Sequence, residues 1–381
     1  MKYRILIILC LLLSSCPIVA KKYPFQYDYK ELEKKALKGD IACQYYMGKT
    51  FAEGRLGKTP NAEISFSWFL KAASQGHSRS QWEVAKRYYT GNGVEKDEKE
   101  FIFWTKMCAY NEASDSETYL ARLNLGKILG LGLFGVDKDI PKAIEILNKA
   151  SSYNEDDYKK IYIIKYNLLG KLYQENASLQ LFSPAEYQKA IEAYKQALYW
   201  AERDYYNQWK DYKEEALSGI ILNILYYNTF ADSNDYSEMI NTLEKGVREK
   251  VPSSLYFLGE IYYFGGGFGL DEDKNKGWEL LLSAASTHPK AGYIVANEYY
   301  SQKDYAKAIE YFKKFTQIKY NYATDESALS DAYRKLATMY RFGRGTVKNE
   351  TEANNFLSKA AELGDADAEK IKEWLSVGMV K

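Results

Sequence analysis

Residues 85–94 read AKRYYTGNGV and carry the two local signals that decide the fold. A small residue, Ala85, stands three positions before an aromatic residue, Tyr88, and a glycine loop, GNGV, follows at 91–94. Residues three apart lie on the same face of a helix, and glycine accepts the positive φ that a tight turn requires. The stretch therefore predicts a helix that packs through its small residue and ends in a turn.

The first signal recurs along the chain. The small residues that precede an aromatic residue or a leucine are separated by 37 to 49 residues, when a degenerate copy near Gly219 is included. A period of this size is typical of proteins that are built from helix-pair repeats. The eight copies contain Gly48, Ala85, Gly126, Gly170, Gly219, Gly259, Ala296 and Ala337.

A second signal follows in most copies. It consists of a small residue, a large apolar residue four positions later and a small residue three positions after that, as in Ala143, Leu147 and Ala150. This spacing indicates a second helix with one apolar face. Small residues let two helices approach closely, and large neighbours fill the remaining space. Because one pair cannot bury its own apolar face, we expect the pairs to stack into an array.

The repeats resemble a known family. The segments YYTGNGV at 88–94 and KAAELGDA at 359–366 are similar to the Sel-one-like repeat (SLR), a relative of the tetratricopeptide repeat. The units around Gly170 and Ala296 lack the glycine loop and are closer to plain tetratricopeptide repeats. The resemblance covers most of residues 28 to 381. It implies an all-α, right-handed α-solenoid of about eight antiparallel helix pairs.

The strength of the resemblance predicts the organisation of the array. We expect an N-terminal SLR array at 28–150, a divergent tetratricopeptide-like middle at 151–250, and a C-terminal SLR array with a capping helix at 251–381. Residues 29–39 look like a half-repeat cap and residues 369–376 like a closing helix, because arrays need their end faces covered.

The middle part contains an aromatic-dense segment at 199–212. Tyr205, Trp209 and Tyr212 fall on one helical face of this segment. Core packing is the favoured interpretation, and a second contact site, for example for a glycan, is the alternative.

The first twenty residues are typical of a bacterial export signal. A short basic start precedes an apolar run at 5–13, which is shorter than the ~20 residues that span a bilayer. The sequence LSSC at 13–16 resembles a lipobox, in which Cys16 receives the lipid, and cleavage after Ala20 is the alternative. We therefore predict a signal segment at 1–20 and a tether at 21–27.

The same segment predicts where the protein is located. Pro17, rather than aspartate, follows Cys16, and this resembles the pattern of outer-membrane sorting in Gram-negative lipoproteins. The prediction is an exported protein of the outer membrane or periplasm that is held by a lipid anchor. A soluble secreted or periplasmic protein is the alternative.

Composition excludes several classes of function. A net charge of +1 provides no long-range field for nucleic acid, and the membrane is expected to be contacted only through the lipid anchor. Beyond the leader, Cys43 and Cys108 are expected to be buried free thiols. His77 and His288 occupy equivalent turns in distant units, so they do not converge on a metal.

No catalytic constellation, cofactor site or metal site is predicted. The glycine run near residue 265 follows a helix, and no Gly-Lys-Ser/Thr comes after it, so it is a turn and not a phosphate-binding loop. The chain is therefore predicted not to be an enzyme.

One pattern indicates a binding surface. In tetratricopeptide-type pairs, the residue after the small packing residue of the first helix points into the concave groove. Here these residues are lysines in four successive units, Lys49, Lys86, Lys127 and Lys171. Aromatic residues lie one turn away on the same face, namely Tyr45, Trp82, Tyr89, Tyr256, Tyr263, Tyr293 and Tyr300.

These residues predict a basic, aromatic-edged strip in the N-terminal half of the groove, which would bind an acidic peptide or protein or a chain-terminal carboxylate. The alternative interpretation is an ordinary solvated face. The predicted function is a non-enzymatic interaction scaffold, or adaptor, of the bacterial envelope, in envelope assembly or host interaction. A glycan-binding envelope factor, acting on peptidoglycan or exopolysaccharide, is the alternative. An envelope hydrolase is disfavoured because no acid and base converge.

Overall fold

The structure is a computed structural model, and it describes residues 28–113, 115–150, 159–203, 210–231, 235–265, 267–318 and 326–370. The predicted signal segment, Cys16 and the tether lie outside these residues. Every regular element within them is a helix, apart from one isolated bridge between Gly267 and Leu270. The all-α prediction is confirmed. None of the described helices is both long and apolar enough to cross a membrane.

The chain divides into two compact units, residues 1–207 and residues 208–381. The helices of the first unit are α1 (Tyr29–Leu37), α2 (Ile41–Glu53), α3 (Ala62–Ser74), α4 (Ser78–Thr90), α5 (Glu98–Ala109), α6 (Ser116–Leu131), α7 (Ile140–Lys149), α8 (Lys159–Leu179) and α9 (Pro184–Ala201), with a 3-10 turn at Leu133–Gly135. Those of the second unit are α10 (Lys210–Phe230), α11 (Ser237–Arg248), α12 (Pro252–Phe264), α13 (Lys274–Ala284), α14 (Pro289–Ser301), α15 (Tyr305–Gln317), α16 (Glu326–Phe342) and α17 (Glu350–Glu362).

The helices pack as eight consecutive pairs that follow the single helix α1. The even-numbered helix is the first of each pair, from α2–α3 to α16–α17. First helices of neighbouring pairs also contact each other, as α4 contacts α6, α6 contacts α8, and α10 contacts α12. The predicted array of about eight helix pairs is confirmed. The division at 150 and 250 stays a prediction.

The small residues of the repeat act as predicted. A Cβ atom on Gly48 would overlap the Phe69 ring, and one on Gly126 would overlap the Leu147 side chain. The same arrangement recurs where Gly170 faces Tyr194 and Gly259 faces Leu281. In these four pairs the first helix therefore offers a gap, and the large apolar residue of the second helix fills it.

The ends of the helices follow from local chemistry. Asp40, Asn61 and Asp115 are N-cap residues whose side chains accept a hydrogen bond from a backbone N–H of the first turn. Gly54 and Gly91 end first helices with φ of 68° and 75°, which glycine adopts without steric cost. Short connections of this kind keep the two helices of a pair antiparallel.

The N-terminal helix α1 covers the first face of the array. Its Leu32 and Ala36 are buried with Cys43 and Met47 of α2, as expected for a half-repeat cap. The closing helix predicted at 369–376 lies mostly outside the described residues.

Candidate partner-binding surface

The four predicted groove lysines have different environments. Lys49 forms an ion pair with Glu53, and the Lys86 ammonium lies 2.8 Å from a Glu83 carboxylate oxygen. Lys127 is only 5% exposed, whereas Lys171 is exposed. The structure therefore corrects the prediction of a continuous basic strip.

The burial of Lys127 has a packing cause. Helix α6, which carries it, contacts the neighbouring first helices α4 and α8 in addition to its own partner α7. Most side chains of α6 are buried as a result. The residue after the small packing position is thus not on an open surface in this pair.

The face that α2 and α4 share carries both signs of charge. Burial raises the pKa of the Glu83 carboxyl, but the nearby ammonium groups of Lys86 and Lys49 outweigh this effect and hold the pKa below its usual value. Glu83 therefore stays ionised between the two lysines. An acidic partner would have to compete with this internal carboxylate.

Arg79 extends the charged face from α4 to α6. Its Nε atom lies 3.7 Å from a carboxylate oxygen of Glu117 and 3.9 Å from one of Asp115, and its side chain is half exposed. Asp115 is also the N-cap of α6 and accepts a 2.5 Å hydrogen bond from the Ser78 hydroxyl. Consecutive first helices are therefore joined by polar side chains along this face.

The N-terminal aromatic residues divide between surface and core. Tyr45 is half-buried, and its ring centroid lies 4.8 Å from that of His77. Trp82 is 2% exposed and belongs to the core, so it is not available to a partner. Tyr89 packs on Phe101, at 5.1 Å between ring centroids, and so points toward the second helix α5.

The aromatic residues of α12 also divide in this way. Tyr256 is buried and stacks on His288, with 4.3 Å between the ring centroids. Burial, followed by the Glu260 carboxylate, raises the pKa of the Tyr256 hydroxyl. Tyr263 is half-buried, lies 5.9 Å from the Trp278 ring and has a pKa raised by burial and by Glu298.

The structure brings two predicted tyrosines, Tyr293 and Tyr300 of α14, together with charged residues of α16. The Tyr293 hydroxyl donates a 2.7 Å hydrogen bond to Asp331, and the Lys335 ammonium donates a 2.7 Å hydrogen bond to the same carboxylate. The Lys335 ammonium also donates a hydrogen bond to the Asn297 side-chain oxygen. Its Nζ atom lies 5.9 Å from the ring centroid of Tyr293 and 5.6 Å from that of Tyr300. We call Tyr293, Asn297, Tyr300, Asp331 and Lys335 the α14–α16 cluster.

Sequence reasoning missed Asp331 and Lys335. A signal was available, since they occupy the same positions relative to Ala337 that Arg79 and Glu83 occupy relative to Ala85. Helix α4 thus has a cation followed four positions later by an anion, whereas α16 has an anion followed by a cation at the equivalent positions. Arg334, which donates to Asp331 at 3.1 Å and to Asp367 at 3.0 Å, extends this cluster toward the C-terminal end.

The remaining predicted positions are structural or lie outside the described residues. Cys43 and Cys108 are buried free thiols, as predicted. In the aromatic-dense segment, Trp200 is buried and stacks on Tyr162, whereas Tyr205 and Trp209 lie outside the described residues. Among the described residues, no group of His, Cys, Asp and Glu is arranged to hold a metal ion.

Two of the solved structures that are similar to this chain are repeat proteins. The Sel1 repeat protein from Oxalobacter formigenes is 20% identical, with a TM-score of 0.63, over 91% of this chain and 89% of that chain. A protective antigen present in uropathogenic Escherichia coli strains, which displays an SLR fold, is 19% identical, with a TM-score of 0.34, over 92% and 83% of the two chains. The first comparison supports the fold alone. No curated protein matches this chain.

The family model for the Sel1 repeat matches six segments, at residues 41–77, 78–106, 120–152, 252–286, 291–316 and 330–365. The unmatched stretch from 153 to 251 overlaps nearly all of the segment at 151–250 that the sequence identified as divergent. Because the matched segments make up more than half of its length, the chain belongs to the Sel1 repeat family.

Proposed function

We propose that this chain is a non-enzymatic scaffold of the bacterial envelope that holds a segment of a partner protein against its first helices. Sel1 repeats generally serve in protein–protein interaction and are typically non-catalytic. The envelope location rests on the leader sequence alone, in which Cys16 is the candidate for lipidation.

The observation that carries the proposal is the polar and aromatic face of the first helices. Tyr45, Arg79 and Lys86 on one unit, and Tyr300 and Lys335 on the other, remain partly exposed. Arg79, Lys86 and Lys335 are held by carboxylates on the same or the next first helix. Tyrosine and arginine supply much of the binding energy in protein interfaces, and a surface ordered in advance loses less entropy on binding.

The charges of this face modify the expected partner. Lys49 and Lys86 are both paired with glutamates, so the surface does not select an acidic segment by charge alone. We propose a partner segment that carries both signs of charge and exchanges ion pairs with Lys49, Glu83 and Lys86. Complementary charges of this kind set register and specificity more than affinity.

The test is capture of envelope proteins by the tagged full-length chain and by the double variant Lys49→Glu/Lys86→Glu. The variant places two new carboxylates beside Glu53 and Glu83, and we expect the captured partner to fall at least tenfold in quantitative mass spectrometry. The control is Lys106→Glu, a charge reversal at an exposed position of the second helix α5. Equal capture by the double variant and the parent chain would refute the proposal.

A further inference from the structure

Many of the most exposed large apolar side chains sit where a first helix ends or in the loop that follows it. Leu181 is 92% exposed and Val347 is 85% exposed, although loops between helices are normally polar. The set comprises Leu56, Leu179, Leu181, Phe182, Phe264, Phe268, Phe342 and Val347.

Several of these residues also have a backbone conformation that is unusual for a bulky side chain. Leu56, Leu181, Phe182 and Phe268 have φ between 52° and 62°, a region that bulky side chains rarely adopt. Phe134 has a similar φ of 57°, but its ring packs on Phe101 at 5.6 Å, and the Phe268 ring packs on Tyr236 at 4.8 Å, which explains these two residues. Leu181 has no comparable burial. Glycine would relieve the strain at Leu181, which lies in the first unit.

In the second unit the exposed apolar residues occur at two places, at the end of α12 with its following loop and at the end of α16 with its following loop. The two helices of a pair are antiparallel, so the first helices of a unit end on the same side. Gly345 lies against the backbone of Tyr305, and the Arg344 guanidinium is 5.8 Å from the Tyr305 ring centroid. The loop after α16 therefore packs beside the turn that precedes α15.

The loop tip at 342–348, FGRGTVK, combines apolar and cationic residues and contains no carboxylate. Phe342 and Val347 are exposed, and the Arg344 guanidinium lies 5.5 Å from the Phe342 ring centroid. Lys348 lies 2.8 Å from Glu350, but both side chains are largely exposed, and such pairs exchange readily with other charges.

We propose that the loop tip at 342–348 of the second unit rests on an anionic lipid surface. Phe342 and Val347 enter the boundary between headgroups and acyl chains, and Arg344 and Lys348 contact lipid phosphates. An isolated apolar loop tip suits a flat apolar layer better than it suits a groove for a peptide. Apolar side chains with adjacent cations are the usual composition of segments that bind membrane surfaces.

This inference uses a surface different from the face of the first helices. It adds a direct lipid contact to the predicted anchor at Cys16. A single weak membrane contact becomes effective when a second one holds the protein nearby.

The experiment measures binding of residues 21–381, the predicted mature chain without its lipid anchor, to phosphatidylglycerol and phosphatidylcholine vesicles by co-sedimentation, because the apolar run at 5–13 would itself bind vesicles. We expect Phe342→Ser/Val347→Ser to lower the partition coefficient for phosphatidylglycerol vesicles at least tenfold. The control Ile64→Ser/Phe103→Ser removes two exposed apolar side chains from the second helices α3 and α5, and we expect it to bind as the parent does. Circular dichroism checks that all variants are folded.

Arg344→Gln/Lys348→Gln should weaken binding to phosphatidylglycerol vesicles and reduce its salt dependence. Equal binding by the tip variant and the parent would overturn the proposal, as would equal binding of the parent to both kinds of vesicle. A protein adduct at a photoreactive residue placed at position 347, together with vesicle binding that the tip variant leaves unchanged, would overturn it in favour of protein docking. Lys49→Glu/Lys86→Glu should leave vesicle binding intact. A negative result in the vesicle experiment would therefore overturn the lipid contact and leave the scaffold proposal standing.

Discussion

Two glycines of the N-terminal loops have the same backbone conformation but different surroundings. Gly57 has a φ of 72° with open space around its Cα, whereas Gly93 has a φ of 77° and faces the backbone of Ala62 at the start of α3. A side chain at 57 therefore meets only the conformational penalty, while one at 93 also collides with the preceding pair. Gly93 therefore has a second role besides the turn, because the absence of a side chain allows its loop to pack against the Ala62 backbone of the preceding pair.

This difference predicts unequal effects of alanine. Gly57→Ala should lower the free energy of unfolding by about 1–2 kcal/mol, the cost of a left-handed backbone. Gly93→Ala should cost a further ~1–3 kcal/mol from overpacking. Chemical denaturation of both variants measures the difference. Equal losses would show that the contact with Ala62 has no energetic importance.

His288 makes the second unit sensitive to acid. It is the N-cap of α14, where its Nδ1 atom accepts from the Ala291 N–H and its ring stacks on Tyr256. Burial, together with Lys290, lowers the pKa of this imidazole to about 3. Protonation would remove the acceptor and place a charge in a buried position.

The direction of the pH effect follows from this lowered pKa. The unfolded chain binds the proton near the ordinary pKa of 6.5, so the stability due to neutral His288 is complete above that pH and is lost as the pH falls toward 3. His288→Asn keeps an N-cap acceptor and should lose less stability between pH 7 and pH 4.5 than the parent does. Thermal unfolding at both pH values measures the difference, and parallel losses would contradict the assignment.

At the scale of helices, one carboxylate organises the α14–α16 cluster. Burial raises the pKa of Asp331, but Lys335, Tyr293 and Arg334 outweigh burial and keep it ionised. The Tyr293 hydroxyl and Lys335 ammonium therefore depend on the same partner.

Asp331→Ala should lower the free energy of unfolding by about 1–3 kcal/mol, because the Tyr293 hydroxyl loses this acceptor and the Lys335 ammonium keeps the Asn297 side chain but loses its carboxylate. Tyr293→Phe should cost about 1 kcal/mol. The double variant should cost less than the sum of the two, since both changes remove the same hydrogen bond. Strict additivity in denaturant unfolding would show that the two residues are not coupled.

The spacing of residues in the sequence predicts which helix faces pack together, but it does not predict how closely they pack. Spacing alone predicted the helix pairs, since Gly48 and Gly126 meet Phe69 and Leu147 as the two repeat signals require. It did not predict the burial of Lys127, because that depends on how closely α6 packs against two neighbouring first helices. Periodicity identifies the face of a helix, but the spacing between pairs decides whether that face is open.

At the scale of the whole molecule, each unit presents two surfaces with different chemistry. The first helices carry a face of paired charges and half-buried tyrosines, whereas the loop edge carries exposed leucine, phenylalanine and valine. Repetition explains why both surfaces can exist in one chain, because each pair adds the same positions to the same sides. The sequence predicted the first surface in part and did not indicate the second, whose apolar residues occur outside any helical periodicity.

The central claim is that a partner lies against the first helices. Its most direct test is in-cell crosslinking with a photoreactive residue at Lys49, on the first helix α2, compared with Lys106, on the second helix α5, followed by mass spectrometry of the envelope fraction. We predict one dominant protein adduct from position 49 that is absent from position 106. No adduct, or the same scatter of adducts from both positions, would contradict the claim.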